Sequence, residues 1–234
     1  MITNLAVLTH THTDCSDLWS IYTHLYSIYC DKLKHYYLVN KPSGFKNEIF
    51  YDEKLAYTER LKKALEHIEE EFVIIDFEDM FLKNNVMLNE LNNIIQIIKK
   101  EDIAFVRLIK SGIFGESNYY GDKLFIIDDS DYQLSLVPSI WKKEILLNKM
   151  FYFKDMSIWE LETSSYILTQ DKKWKGLYYY NNEKPIGNHF DSSIYPHICS
   201  AIYKGKWNMR DYKEDLLDIS LKFNIDLSIR GYYA

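Results

Sequence analysis

FVIIDFEDMFL, Phe72 to Leu82, is the stretch on which the fold turns. Phe72 to Ile75 is an apolar run suited to a buried strand, and it leads directly into Asp76, Glu78 and Asp79. On either side the periodicity becomes helical. Leu61, Ala64, Leu65 and Ile68 fall at helical spacing within Leu55 to Glu70, with charges on the other side, and Asn85 to Lys100 is a second amphipathic segment. Further out, Ile103 to Ile109 (IAFVRLI) reads as a strand, as does Leu5 to His10 (LAVLTH). His35 to Lys41 reads as another, stopped by Pro42 and Gly44, and Ser16 to Tyr29 as a helix with Leu18, Tyr22, Leu25 and Tyr29 near one face. Strands alternating with helices predict an α/β fold on a mostly parallel sheet flanked by helices. In such sheets ligands bind beyond the carboxyl ends of the strands, which points to the loops after Leu8 and Ile75.

The second half changes character. KLFIIDD and YQLSLVPSI are β-like runs separated by a turn at Asp128 to Asp131. Helices are expected over Trp141 to Met150, Ile158 to Asp171 and Asp211 to Phe223, with β-like GLYYYN and ICSAIYKGKW between them. No Gly/Ser-rich linker, low-complexity tract or internal repeat interrupts the 234 residues. One domain over 1–234 is therefore expected, with halves at about 1–110 and about 111–234 and a mixed region in the second.

Composition narrows the class. Hydrophobic residues make up 47% and charged residues 26%, the balance of a folded soluble chain. A net charge of −6 argues against a nucleic-acid partner. No apolar run approaches the ~18 residues of a transmembrane segment, and MITNLAVLTHTHTD lacks the form of a secretory signal. Cys15, Cys30 and Cys199 are odd in number and scattered, which fits a reducing, cytoplasmic compartment. Oligomeric state leaves no mark.

The acids after Ile75 carry the chemistry. Three carboxylates within four residues repel one another and need a positive partner if they share a site. A hard divalent cation, Mg²⁺ or Mn²⁺, supplies that charge and also grips a diphosphate. Strand alternation sets Asp76 and Glu78 on one side and Asp79 on the other, unless the backbone turns at the strand end. The bland reading is a solvated acidic turn.

Several segments together resemble a family of bacterial and viral polysaccharide or lipopolysaccharide glycosyltransferases with the GT-A fold. They are VLTHTHTDCSDLW, ERLKKALEHIEEEFVIIDFEDMFL, SLVPSIWKKEILL, IWELE and AIYKGKW, in that order from about residue 5 to residue 207. The resemblance implies a Rossmann-like GT-A domain. Its first half would bind a nucleotide-sugar donor, UDP- or GDP-linked, and its second half a glycan acceptor, as in polysaccharide biosynthesis. Thr9, His10 and Thr11, in the loop Thr9 to Thr13, would line the nucleotide pocket. Arg60 would reach the diphosphate or sugar, since a guanidinium forks onto phosphate oxygens. Asp76, Glu78 and Asp79 would occupy the D-x-D metal motif; D-F-E-D leaves open which pair ligates. Glu78, Asp79 and a late His189 would hold the metal, with Asp76 on the donor side. Lys204 and Lys206, flanking Gly205, would hold the diphosphate, and Trp141 would stand at the acceptor wall. Glu162, three residues after Trp159 and on its helical face, would be the general base of an inverting direct displacement, with Glu160 pointing elsewhere.

Three rivals stand beside this reading. HTHTDCSD resembles the opening of PHP-type phosphoesterases, which would use His10 and His12 as metal ligands, but Leu8 replaces the preceding acid and Leu18 the expected glycine. VIIDFED resembles the nucleophile motif of haloacid-dehalogenase phosphatases, without their second Asp or their position at the start of the domain. A degenerate transferase fold that only binds a glycan or a protein is the third.

Overall fold

The computed structural model describes residues 4–112, 119–127, 134–152, 154–169 and 175–234. The chain opens β1 (Leu5–His10), α1 (Ser16–Tyr29), β2 (Lys34–Val39), β3 (Glu48–Phe50), α2 (Tyr57–His67), β4 (Phe72–Phe77), α3 (Leu88–Lys100) and β5 (Phe105–Arg107). It continues with β6 (Tyr119–Tyr120), β7 (Leu124–Ile126), β8 (Ser139–Lys142), α4 (Lys143–Tyr152), α5 (Ile158–Thr169) and β9 (Gly176–Tyr179). It closes with β10 (Pro185–Ile186), β11 (His189–Phe190), β12 (Ile202–Tyr203), β13 (Lys206–Asn208), α6 (Met209–Phe223) and β14 (Tyr232–Tyr233).

Among the described residues nine strands form one sheet in the order β3-β2-β1-β4-β8-β5-β9-β7-β6. The pairs β3·β2, β2·β1, β1·β4 and β5·β9 are parallel, whereas β8 runs antiparallel to both neighbours and β7 to β9. The mostly parallel, Rossmann-like α/β sheet expected from the alternation of elements is therefore present. Both of its faces are covered. Leu5, Val7, Phe72, Ile74 and Ile140 pack with Leu18, Ile21, Tyr22, Leu25 and Tyr26 of α1 and Leu91, Ile94, Ile95 and Ile98 of α3. Ala6, Leu8, Val73, Ile75 and Trp141 pack with Leu61, Ala64 and Leu65 of α2, Leu146 of α4 and Leu161 of α5. Period-two strands and helical stripes at i, i+3, i+4 and i+7 fit together in the way the sequence pattern requires.

Three expectations need correction. Trp141 does not begin a helix or stand at an acceptor wall: it lies in β8, 2% exposed, with its ring 4.1 Å from that of Phe105. A Cβ on Gly176 would fall 2.3 Å from Phe105 Cζ, so the glycine makes room for that stack. Within the run YQLSLVPSI, Tyr132 and Gln133 lie outside the described residues, Leu134 to Pro138 are not strand, and β8 starts at Ser139. The expected turn at Asp128 to Asp131 lies outside the described residues, as does Asp171. No helix among the described residues is long and apolar enough to cross a membrane.

Candidate active site

β1, β4 and β5 point the same way and end at one edge of the sheet, delivering His10, Phe77 and Arg107 there. Thr9 pairs with Asp76 and His10 with Phe77. Alternation sends Thr9 and Asp76 toward α1, and His10 and Phe77 toward α2.

Asp76, expected at the donor, is sealed beneath the site with no exposed surface. Tyr22 donates to its Oδ2 at 3.0 Å, Tyr26 donates to the same oxygen, Tyr195 reaches it at 3.5 Å, and the Phe77 N–H donates to Oδ1 at 2.9 Å. Because the Tyr22 proton goes to Asp76, Thr9 donates to Tyr22 at 2.6 Å and the His35 Nε2–H donates to Thr9 at 2.5 Å. Burial raises the Asp76 carboxyl to about 7 against these hydroxyls, with Tyr26 foremost. Thr9 is thus spent inside the fold. So is Thr11, whose hydroxyl accepts from Trp19 Nε1 at 2.7 Å.

Glu78 and Asp79 leave the strand end half-buried. Glu78 sits beside the Cys15 thiol, the Thr11 hydroxyl and the Arg230 guanidinium, and burial raises its carboxyl. Arg230 comes from the chain's end and forks onto Asp17 at the start of α1. Burial, then the charge of Glu78, raises Asp79 to about 7. Ile202 N–H lies 3.4 Å from Asp79 Oδ2, and Ala201 N–H donates to the Asp79 carbonyl at 3.0 Å. This ties Asp79 to the foot of the β12–β13 hairpin, whose turn is Lys204-Gly205, both with positive φ (51° and 77°). Lys204 and Lys206 are exposed on that hairpin.

His189 is not brought to these acids. β11 pairs with β10, and a bridge joins His189 to Ser111, beside Arg107 and Asp211. Among the described residues no three His, Cys, Asp or Glu side chains gather as a metal-holding group, so the expected set Glu78, Asp79 and His189 is not assembled. The pair Glu78 and Asp79 remains. Two hard oxygen ligands of raised proton affinity suit Mg²⁺ or Mn²⁺, which takes one or two carboxylates and completes its shell with phosphate and water.

The raised Asp79 carboxyl makes a prediction for the ligand-free protein. The folded state holds this proton more tightly than the unfolded chain, so the contribution of Asp79 to stability is greatest below the ordinary carboxylate range and is lost as pH rises through about 7. Asp79→Asn is expected to raise the thermal midpoint at pH 8 by a few degrees, at roughly 2–4 °C per kcal/mol, with the gain shrinking toward pH 5. Thermal melts of both proteins across pH check it, and equal pH slopes would refute it.

On the α2 side, His10 packs against Tyr51, Tyr57 and Phe77, with ring centroids 5.2, 5.3 and 5.9 Å away. Burial, then Arg60, lowers its imidazole to about 3, so it is neutral. Arg60 is pinned to its own loop. Its Nε donates to the Leu55 carbonyl at 2.7 Å, an NH2 donates to the Glu53 carbonyl at 2.6 Å, and the guanidinium lies 4.7 Å over Tyr51. His12 turns to Glu53, 3.0 Å away, and not to a ligand shared with His10. The geometry that a phosphoesterase would need from this pair is therefore missing.

Glu162 accepts the Leu136 N–H at 2.8 Å. Burial raises its carboxyl, opposed by that bond and by the Arg107 charge. Arg107 is 1% exposed and donates to Ser111 Oγ at 3.1 Å. Trp159, expected to share the Glu162 face, is 75% exposed. Arg107, Arg230, Cys15 and Tyr57 were not singled out from the sequence. Only Arg107 left a signal there, as the one charge inside the apolar run Ile103 to Ile109.

No family model matches the chain, and no curated protein does. Solved structures do. A cytidylyltransferase from Leptospira borgpetersenii serovar Hardjo-bovis is 12% identical, with 98% of this chain and 99% of that chain covered at a TM-score of 0.51. TarS from S. aureus is also 12% identical, with 97% of this chain and 41% of that chain covered at a TM-score of 0.51. The chain thus spans about two fifths of the TarS chain. At such identity the likeness is one of fold: a Rossmann-like α/β sheet of the GT-A kind, held in common with a cytidylyltransferase and with TarS.

Proposed function

We propose that the chain is a metal-dependent glycosyltransferase, moving a sugar from a UDP- or GDP-sugar onto a hydroxyl of a glycan-type acceptor. The observation that carries this is the pair Glu78 and Asp79, adjacent carboxyls at the open end of β4, both pushed toward the protonated form. Groups so placed are costly unless a cation joins them. They would hold Mg²⁺ or Mn²⁺, which when bound neutralises charge on the departing nucleoside diphosphate. Arg230 and the Lys204–Lys206 hairpin add positive charge at the same end of the sheet. Glu162 takes the acceptor proton. As the acceptor oxygen bonds to the anomeric carbon and the bond to the diphosphate breaks, the hydroxyl proton passes to a Glu162 carboxyl oxygen, and the anomeric configuration inverts. Burial raises the proton affinity of that carboxyl, the direction a general base requires.

The fold is also that of a cytidylyltransferase, which would make a nucleoside triphosphate the substrate. The chain's first loop, Thr11 to Cys15, carries Asp14 and no Lys or Arg. That charge favours the less anionic nucleotide-sugar. A thermal-shift panel of nucleotide-sugars and CTP, each with and without Mn²⁺, separates the two, since a bound ligand stabilises by mass action. A metal-dependent rise with one nucleotide-sugar is expected. A rise with CTP alone would transfer the assignment to nucleotidyl transfer, and no rise with any nucleotide would end both.

A further inference from the structure

Two polar atoms on the α2 side of the edge have no hydrogen-bond partner although both are buried: His10 Nε2 and the Tyr57 hydroxyl. They belong to neighbouring rings, edge to face at 5.3 Å, and Tyr57 is 5% exposed. A buried polar atom left unsatisfied lowers stability, and two side by side mark a place where something else completes the bonding. Their surroundings say what. Tyr51 and Phe77 close the ring cluster around His10, which suits the apolar face of a sugar ring. The imidazole is neutral, so the pair is chemically matched to hydroxyl groups and not to phosphate. The Glu162 charge bears on the Tyr57 hydroxyl, so Tyr57 lies within electrostatic reach of the proposed base.

We propose that His10 Nε2 and the Tyr57 hydroxyl form the subsite that reads hydroxyls of the transferred sugar, an inference resting on the glycosyltransferase reading above. Both atoms are closed off from solvent without ligand, so the sugar parts the Tyr51–Tyr57–Phe77 cluster as it enters. The Tyr57 hydroxyl donates to a sugar oxygen, and His10 Nε2 bonds a second hydroxyl.

Tyr57→Phe tests this, since it deletes one oxygen and no packing. The variant is expected to melt higher than the wild type without ligand. It is expected to bind the free nucleoside diphosphate with Mn²⁺ as the wild type does, and to bind the matching nucleotide-sugar about tenfold more weakly. Equal loss of both ligands, or loss of neither, overturns the proposal, as does a lower melting point without ligand. Failure of the wild type to bind any nucleotide-sugar would instead remove the glycosyltransferase reading.

Discussion

Glu162→Gln is expected to lower turnover by about 10²–10⁴-fold, the usual contribution of a general base, with the midpoint for donor binding unchanged. Glutamine keeps an oxygen to accept the Leu136 N–H and removes only the capacity to take a proton at the working pH. The same substitution has a structural cost. Glu162 lies in the field of the buried Arg107 guanidinium, and deleting one charge of a buried pair is destabilising. Turnover is therefore to be measured well below the melting point of the variant, alongside its thermal midpoint and its donor response. A lower midpoint with turnover within a few-fold of wild type would make Glu162 the counter-ion of Arg107 and nothing more.

The second large effect concerns the metal. At a donor concentration near 100 times its Kd, stabilisation is about 2.7 kcal/mol, or roughly 5–10 °C in a chain of this size. Asp79→Ala is expected to abolish the Mn²⁺-dependent part of that rise, because Glu78 alone gives one ligand where two carboxylates stand now. Asp76→Asn serves as the contrast. Its side chain is enclosed by Tyr22, Tyr26 and Tyr195, so the substitution is expected to alter the melting point without ligand and to preserve the metal response. Loss of the response in Asp76→Asn with its retention in Asp79→Ala would reverse the assignment of the acids.

The regular parts of the fold could be read from the sequence because local periodicity specifies them. Leu5–His10 and Ser16–Tyr29 have the bounds that the pattern of apolar residues requires. Strand β8 was only half legible: Ser139 and Ile140 close a β-like run, but Trp141 and Lys142 read as helix. Those two precede Lys143 and Glu144 in a run that passes for the first turn of a helix, and the strand forms only because β4 and β5 hydrogen-bond to it from both sides. The two-residue strands β6, β10, β11, β12 and β14 are too short to leave a period. At the candidate site, the D-F-E-D motif falls at the end of β4 as expected, but the sealing of Asp76 beneath it could not be read. Tyr22 looks like an ordinary member of a buried helical stripe, Tyr26 stands outside the stripe read from the sequence, and Tyr195 lies more than a hundred residues beyond Asp76. That three phenols converge on one carboxylate is a fact of packing. The same holds for Arg60, whose bonds to Leu55 and Glu53 depend on how its loop closes.

The antiparallel strand at the centre of the sheet also governs the order in which the protein can be made. By the time Arg107 has been synthesised, β1, β2, β3 and β4 can associate as a parallel block, yet β4 still ends in an open edge and β5 has no partner. Both wait for Ser139–Lys142, which must slot between them, and for Gly176–Tyr179 after that. A chain stopped at Arg107 would leave that bare strand edge available to other chains, and the step that completes the sheet beside the candidate site is a late, long-range insertion.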